Sequence, residues 1–320
     1  MARRLTLDDI AHHAGVSKAT VSRVLGRHPE RYDVDPETRG KVTRAAEALG
    51  WDGFAPRKER PETVVAMLYE ATTGSPGDGI AVALASAAHM AGVVLTFEPV
   101  TKPISAWRQR FEHHLRPGAG LVVSPVPVDP ESLAQMPIPL VVVNQMTSLA
   151  LPHVAPDDVA GGLLLGQRLW AFGHRRVWYL APPLTNHFSV GERATGLAQA
   201  GLQVDFFPGD GAETVVERMR FRTSGRPTAI VCWTWLTAIE ALFACHRHGL
   251  KVPEDLSVVC FDDHHAAATS HPPLTVVDPQ HQRVAAEAIR LVLAGERAPK
   301  VHRTPVALFA RLSDGPAPTR

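Results

Sequence analysis

The chain has 320 residues, of which 45% are hydrophobic and 20% are charged, with a formal net charge of +1. Because domains average roughly 100 to 200 residues, this length predicts two or three domains. The balanced composition excludes a collagen-like repeat and wholesale disorder. The first 60 residues hold 12 Lys and Arg against 9 Asp and Glu, so this part is mildly basic. That surplus fits either a nucleic-acid contact or an ordinary solvated surface.

Cysteine usage and hydropathy indicate the compartment. Cys232, Cys245 and Cys260 show neither CxxC nor Cys/His ligand spacing, which argues against a disulfide framework and a structural zinc site. The N-terminus has no apolar segment of signal-peptide length, and no run of about 18 apolar residues occurs. We therefore expect a cytoplasmic protein that is neither exported nor inserted into a membrane.

The N-terminal segment predicts two short helices joined by a tight turn. Thr6, with Asp9 three positions later, forms a capping signature for a helix that ends at Gly15. Ser17 opens a second helix, in which the apolar residues of positions 18–25 recur on one face. One face is thus predicted to be core and the other free, as in a helix-turn-helix motif.

A third helix and a linker complete the N-terminal part. Asp35, followed by a proline, predicts the start of this helix, and the three helices can close a small core. Prolines then interrupt any helix in the following segment. We therefore predict a helix-turn-helix domain at 1–51, a linker at 52–62 and a larger second domain at 63–320.

The remainder of the chain alternates between β-branched runs and amphipathic segments. The runs typical of buried strands are 63–68, 93–97, 120–124, 140–144, 176–181, 229–233 and 256–261. The segments typical of helices are 79–91, 105–115, 158–172, 190–200, 212–224, 236–248 and 281–294. This alternation predicts a doubly wound α/β fold with parallel sheets, and its length favours two lobes with a ligand cleft between them.

These segments resemble a known family. The DNA-binding headpiece of the LacI/GalR repressor family is similar to LTLDDIAHHAGVSKATVSRVL, VDPETRGKV and ALGW. That family's regulatory core is similar to AFGHRRVWYLA, SVGERATGL, RPTAIVC, LSVVCFDD and PPLTVVDPQ. The resemblance covers residues 5–312. It implies a three-helix headpiece and a periplasmic-binding-protein-like core, in which a small-molecule effector changes the affinity for DNA.

The resemblance also implies the partners. They are a two-fold symmetric double-stranded DNA operator, an effector of unknown identity and a second copy of the chain, with a tetramer as the alternative assembly. Most members of the family repress transcription. No cofactor, no metal and no catalytic residue are expected.

The second helix carries the residues expected to read DNA. Arg23 can fork onto guanine O6 and N7, Lys18 can reach the same acceptors, and Ala19 offers only a methyl group. The candidates for phosphate oxygens are Thr6, Ser17, Thr20, Ser22 and Thr38. Thr6 and Ser17 suit a simple capping role equally well, and the alternative for Lys18 and Arg23 is a solvated helix face.

The linker departs from the family pattern. Members usually carry a Pro-Asn pair and an Ala-Arg-x-Leu stretch, which form a hinge helix that inserts into the minor groove. This chain has GFAPRKERP at 53–61 instead. We expect no hinge helix and weak DNA bending, with Phe54 either packed beneath the third helix or serving as an apolar insert.

In this family, residues at the carboxyl ends of strands line the effector cleft. In the matching motifs, Arg193 occupies the position where the family has a ligand-binding arginine. Asp262 occupies the position where the family has an acidic hydrogen-bond acceptor. The alternatives for Arg193 are an ion pair with Glu192 or a charge at a helix end. Where the family usually has Asn-Asp, this chain has Thr234 and Trp235. The replacement removes a polar side chain that could hydrogen-bond a ligand.

Two tryptophans lie at or beside this position. Trp233 and Trp235 either stack on an effector or fill a cleft that binds nothing. We expect an effector with an anionic group for Arg193 and a flat apolar face for the indoles. The remaining candidates are polar residues near strand ends or a helix start, namely Asn144, Asp157 and Asp78.

Two other classes of function remain as alternatives. The sequence Asp262-Asp263-His264-His265, together with His271, is a conceivable metal cluster, but adjacent loop side chains rarely converge. Ser189 lacks the Gly-x-Ser-x-Gly context, so an enzyme has little support. The strongest rival is a cytosolic sugar-binding protein with a degenerate headpiece, and the intact face between positions 18 and 23 speaks against it.

Overall fold

The computed structural model divides into two compact units, Met1–Pro61 and Glu62–Arg320. The residues that it describes are 6–25, 32–49, 51, 63–69, 77–100, 119–123, 139–146, 148–181, 187–220 and 225–319. The predicted helix at 105–115, the linker at 52–62 and Phe54 lie outside the described residues, so weak DNA bending stays a prediction. No helix within the described ranges is long and apolar enough to span a membrane.

The first unit contains the three predicted helices, α1 (Leu7–Ala14), α2 (Lys18–Leu25) and α3 (Pro36–Ala48). The capping box at the start of α1 is present, because the Thr6 hydroxyl accepts from the Asp9 amide and the Asp9 carboxylate accepts from the Thr6 amide. Gly15 ends α1 with a φ of 66°, a left-handed conformation that glycine adopts without steric cost.

The helices of the first unit share one apolar core. Ile10 of α1, Val21 of α2 and Val42 of α3 are each 0% exposed. Burial of such a side chain contributes about 1.5 to 3 kcal/mol, so the three together hold a small bundle closed. The packing consumes one face of α2 and leaves its outer face to solvent.

The second unit alternates strands and helices throughout. Its elements are, in chain order, β1 (Thr63–Tyr69), α4 (Gly77–Met90), β2 (Val94–Val100), β3 (Ala119–Val123), β4 (Leu140–Val143), β5 (His153–Pro156), α5 (Asp158–Ala171), β6 (Arg176–Ala181), α6 (Phe188–Gln199), β7 (Gln203–Pro208), α7 (Ala212–Arg220), β8 (Ala229–Cys232), α8 (Trp235–Arg247), β9 (Ser257–Phe261), α9 (His265–Thr269), β10 (Thr275–Asp278), α10 (His281–Leu293), β11 (Val301–Thr304) and β12 (Ala307–Phe309).

The described strands form two sheets of six strands each. The first sheet has the order β11-β5-β4-β3-β1-β2 and is parallel throughout. The second has the order β12-β10-β9-β8-β6-β7, with β12 as an antiparallel edge strand. The chain enters the second sheet after β5, returns through α10 to β11, and ends in the second sheet at β12. The predicted two-lobed, doubly wound α/β fold is confirmed.

Each sheet has its own apolar core. In the first lobe, Leu84 of α4 and Ile289 of α10 pack with Val143 of β4. In the second lobe, Trp178 of β6 belongs to the cluster on one side of the sheet and Phe261 of β9 to the cluster on the other. Covering both faces is the usual requirement for a parallel sheet.

Six elements are missing from the sequence prediction, namely β5, β7, β10, α9, β11 and β12. Most of them have five residues or fewer, which is too short to show a hydrophobic period. β7 has six residues, but it lies at the sheet edge and most of it is only partly buried. The sequence therefore predicts the long helices and the buried central strands better than the short elements and the edge strands.

Helices α5 and α6 cross with their backbones in contact. A methyl group placed on Gly162 of α5 would overlap the carbonyl oxygen of Arg193, and one placed on Gly196 of α6 would overlap the carbonyl oxygen of Val159. Glycine at both positions is thus a requirement of the close approach. The crossing brings the start of α5 against the middle of α6, where the main polar cluster of the second unit lies.

Candidate DNA-binding face and ligand cleft

The outer face of α2 presents the residues predicted to read bases. Lys18, Ala19, Ser22 and Arg23 are exposed, whereas Val21 on the same helix is fully buried. The division between core and free faces follows from the 3.6-residue period of the helix. This side of α2 is therefore available to an external partner, as the sequence predicts.

Four of the five predicted phosphate contacts, Thr6, Ser17, Thr20 and Thr38, take part in helix capping. The Ser17 hydroxyl accepts from the Thr20 amide at 3.1 Å and hydrogen-bonds the Thr20 hydroxyl at 2.8 Å. The Thr38 amide donates to the Asp35 carboxylate at 2.9 Å. Thr6 is a cap as described above, so the alternative reading of Thr6 and Ser17 as caps is present in the structure. Capping does not test whether these groups also meet phosphate.

Lys18 has a partner that the sequence analysis did not identify. Its Nζ lies 2.7 Å from Oδ2 of Asp8 on α1, and both side chains are more than 60% exposed, at 61% and 63%. Arg23 has its guanidinium carbon 6.0 Å from the centre of the Tyr32 ring. The ten positions between Asp8 and Lys18 span the turn of the motif, and no local spacing rule links residues across such a turn.

Arg193 lies at the centre of a buried polar cluster in the second unit. Its Nε donates to Asp158 Oδ1 at 2.6 Å, its Nη1 donates to the Trp233 carbonyl at 2.7 Å, and its Nη2 is 3.4 Å from Asp262 Oδ1. The Arg193 side chain is 5% exposed. The structure thus brings Arg193, Asp262 and Trp233 together, while Glu192 pairs with Arg303 at 2.5 Å. Their role in binding an effector stays a prediction.

The cluster holds two carboxylates against one guanidinium. Burial raises the pKa of the Asp262 carboxyl, and the adjacent Arg193 opposes this rise. Burial alone lowers the pKa of Arg193, but the carboxylates of Asp158 and Asp262 outweigh it and the pKa is raised. Among the described residues, buried Asp158 Oδ2 and Tyr179 Oη have no hydrogen-bond partner. The cluster therefore has an unused hydrogen-bond acceptor, Asp158 Oδ2, because an ionised carboxylate oxygen can only accept.

Asn144 and Asp262 follow strands β4 and β9 in a left-handed conformation, with φ of 52° and 66°. Asn and Asp adopt this conformation more readily than other non-glycine residues. A sharp change of direction directly after a strand turns the chain at the sheet edge. These polar residues therefore lie where ligand clefts form in open α/β sheets.

A directed hydrogen-bond chain joins the two lobes. His187 Nε2 donates to the Asn144 carbonyl at 3.0 Å, because a carbonyl oxygen can only accept. His187 Nδ1 is then the acceptor for the Ser189 hydroxyl at 2.7 Å. Ser189 Oγ in turn accepts from Trp233 Nε1 at 2.9 Å. Trp233 is therefore fixed by a contact that extends to the first lobe.

Two further predicted cleft residues, Trp235 and Asp157, have partners of their own. Trp235 stacks on His264, with ring centres 4.2 Å apart, and Thr234 caps α8. The Asp157 carboxylate accepts from the Ala160 amide at 3.0 Å as the cap of α5. Asp78 lies in α4, and its side chain is outside the described residues. Asp263 pairs with Arg311 at 2.7 Å, away from Asp262, and within the described ranges no group of three or more potential ligands is arranged for a metal.

His187 predicts an acid-dependent loss of stability. Burial first, and then the nearby Arg193 charge, lower the pKa of His187 from 6.5 to about 4, while the Asp158 carboxylate opposes them. The folded chain thus binds this proton more weakly than the unfolded chain, so stability is unaffected above the unfolded pKa and falls as the pH drops towards 4. Linkage gives a loss of about 2 kcal/mol between pH 7 and pH 5.

Denaturant unfolding of the wild type and His187→Asn at both pH values checks this expectation. Burial also lowers the pKa of His153, His174 and His281, so the measured quantity is the difference between the two proteins. Equal acid sensitivity of the wild type and the variant would contradict the assignment to His187.

Comparison with known proteins gives two family matches. Residues 6–52 match the family described as bacterial regulatory proteins, lacI family. Residues 167–314 match the periplasmic binding protein-like domain. The first range contains the headpiece helices, and the second contains Arg193, Trp233 and Asp262.

Individual proteins are similar over nearly the whole chain. The transcriptional regulator MalR of Streptomyces coelicolor is 28% identical, with 90% of this chain and 89% of that protein covered. The transcriptional repressor CytR of Escherichia coli K12 is 27% identical, with the same coverage. A solved structure of the transcriptional regulator CelR in complex with cellobiose is 26% identical, has a TM-score of 0.67, and covers 97% of this chain and 100% of that chain. The chain belongs to the LacI family of bacterial regulatory proteins.

Proposed function

We propose that this protein is a sequence-specific DNA-binding transcriptional regulator, and specifically a repressor. The observation that carries the proposal is the exposed outer face of α2, set on a bundle closed by Ile10, Val21 and Val42. A helix on such a scaffold fits the major groove of B-DNA. The rival function, a sugar-binding protein with a degenerate headpiece, is disfavoured because the three-helix core is closed and the outer face of α2 still exposes Lys18 and Arg23.

Substitution of Arg23 tests the reading face. If Arg23 forks onto guanine, Arg23→Ala weakens binding to the preferred duplex by about 1 to 3 kcal/mol and relaxes the preference at one base pair in each half-site. The preferred duplex is first selected from randomised DNA with the wild-type chain and then titrated in a mobility-shift assay. An equal loss on random DNA would show that Arg23 meets only phosphate, and failure of the wild type to select any sequence would overturn the proposed function.

The assembly and location follow from the same proposal. A two-fold symmetric operator needs two headpieces, so we propose a homodimer, with a tetramer as the alternative. Sedimentation of the full chain alone and with the selected duplex distinguishes these states. A regulator of transcription works where the chromosome lies, which is the cytoplasm in bacteria. We propose no catalytic activity and no cofactor.

The effector is proposed to bind at the cleft between the lobes, beside Arg193, Asp262 and Trp233. The sequence-based expectation is an anionic effector, but the contacts of Arg193 favour another chemistry. An anion has to displace Asp158 or Asp262 from the guanidinium and then lie beside an unpaired carboxylate, which is costly in a buried site. A neutral ligand with several hydroxyl groups instead donates to these carboxylates.

A thermal-shift screen tests the chemistry of the effector. Neutral mono- and disaccharides are compared with phosphorylated and carboxylated sugars. Stabilisation by neutral sugars that Asp262→Asn reduces supports the revised proposal. Stabilisation by anionic ligands alone would restore the expectation from the sequence.

A further inference from the structure

The headpiece contains an ion pair between Asp8 and Lys18. It joins α1 to the reading face of α2 through a contact of 2.7 Å between well-exposed side chains. An exposed ion pair contributes only about 0 to 1 kcal/mol to stability, so its contribution to holding the headpiece together is small. Its position matters more, because it places a carboxylate 2.7 Å from Lys18, a residue of the proposed DNA-binding face.

We infer that Asp8 is a specificity-determining residue of the DNA-binding face, acting together with Lys18. This inference rests on the proposed function. A carboxylate on this surface is repelled by phosphates and can only accept hydrogen bonds from a base. Asp8 therefore weakens binding to any DNA sequence that does not place a hydrogen-bond donor of a base opposite it.

The two charges of the pair match one kind of base pair. In the major groove, guanine presents the O6 and N7 acceptors and cytosine presents the N4 amino donor. Lys18 donates to the guanine acceptors, and Asp8 beside it accepts from the cytosine amino group. A G·C pair offers both functions side by side, so the Lys18–Asp8 pair selects G·C at one position in each half-site.

The same pair reduces binding to random DNA. Each phosphate that a lysine neutralises adds about 0.9 to the slope of log K against log salt concentration. While Lys18 is held by Asp8, its charge is offset and it is drawn away from phosphate. Removal of the carboxylate frees Lys18 for a phosphate on any sequence.

The test compares Asp8→Asn with Glu47→Gln in the full chain. Glu47 is exposed near the end of α3, and its substitution changes the net charge by the same amount. Duplexes are selected from randomised DNA by each protein, and the selected and random duplexes are then titrated at several salt concentrations. Circular dichroism checks that α1 is formed, and Asp8→Ser replaces Asp8→Asn if that variant is unfolded.

For Asp8→Asn we expect binding to random duplex that is about 3- to 10-fold tighter at 0.1 M salt, with a salt slope steeper by about 0.9. We also expect the G·C preference at one position of each half-site to disappear. Glu47→Gln should keep the selected sequence and the wild-type salt slope. Identical behaviour of the two variants, or an unchanged selected sequence for Asp8→Asn, overturns the inference. If the wild type selects no sequence at all, the proposed function fails and the inference fails with it.

Discussion

Replacement of Arg193 by alanine is expected to destabilise the second unit by about 3 to 5 kcal/mol, because removal of one partner leaves buried charges uncompensated. The guanidinium pairs with Asp158 at 2.6 Å and lies 3.4 Å from Asp262, and both carboxylates are nearly inaccessible. Truncation also removes the donor to the Trp233 carbonyl. Denaturant unfolding of the wild type and the variant, followed by the fluorescence of the tryptophans, measures the loss.

Arg303 offers a matched control. It forms an ion pair with Glu192, the residue next to Arg193, but its side chain is 30% exposed. Arg303 also donates to the Pro156 carbonyl at 3.0 Å. Arg303→Ala is therefore expected to cost about 1 to 2 kcal/mol, less than Arg193→Ala. Equal losses for Arg193→Ala and Arg303→Ala would show that the buried cluster is not a stabilising unit.

A neutral version of the cluster separates charge from packing. Arg193→Met combined with Asp158→Asn and Asp262→Asn removes all three charges while keeping similar volumes. We expect this triple variant to be more stable than Arg193→Ala, because a neutral pocket has no uncompensated ion to bury. Because Arg193→Ala is expected to destabilise the second unit, ligand binding is compared between the wild type and the neutral triple variant.

The headpiece can be predicted from the sequence because its signals are local. Thr6, Asp9 and Asp35 act on amides within three residues, and the core positions repeat within single helices. The pair formed by Asp8 and Lys18 cannot be predicted in this way. It depends on how α1 and α2 are set across their turn, which no spacing rule specifies.

The cleft is predicted only in part for a similar reason. Motifs place Arg193 and Asp262, but the closest partner of Arg193 is Asp158, which lies 35 positions earlier. From the sequence, Asp157 is the cleft candidate rather than its neighbour Asp158, and β5, the short strand before them, is not among the predicted strands. The close approach of α5 and α6 determines their roles. The Asp158 carboxylate faces the guanidinium of Arg193, whereas the Asp157 carboxylate caps α5.

That approach can be tested directly at Gly196. Gly196→Ala is expected to destabilise the second unit by about 2 to 3 kcal/mol, towards the upper end of overpacking costs, because the added methyl group would meet the Val159 backbone rather than a movable side chain. Denaturant unfolding of the purified variant measures the loss. Gly191, on the same helix, is the matched control, because among the described residues nothing lies within 4 Å of a methyl group placed there.

Gly191→Ala should raise stability by about 0.5 to 1 kcal/mol through helix propensity alone, so the two substitutions are expected to have opposite signs. A shift of the same sign and size in both variants would mean that the helices are not in contact at Gly196. Because Gly196 lies one turn after Arg193, separation of the helices also weakens the contact between Arg193 and Asp158. Gly196→Ala and Asp158→Asn should therefore be less than additive when combined, since each disrupts the same buried ion pair.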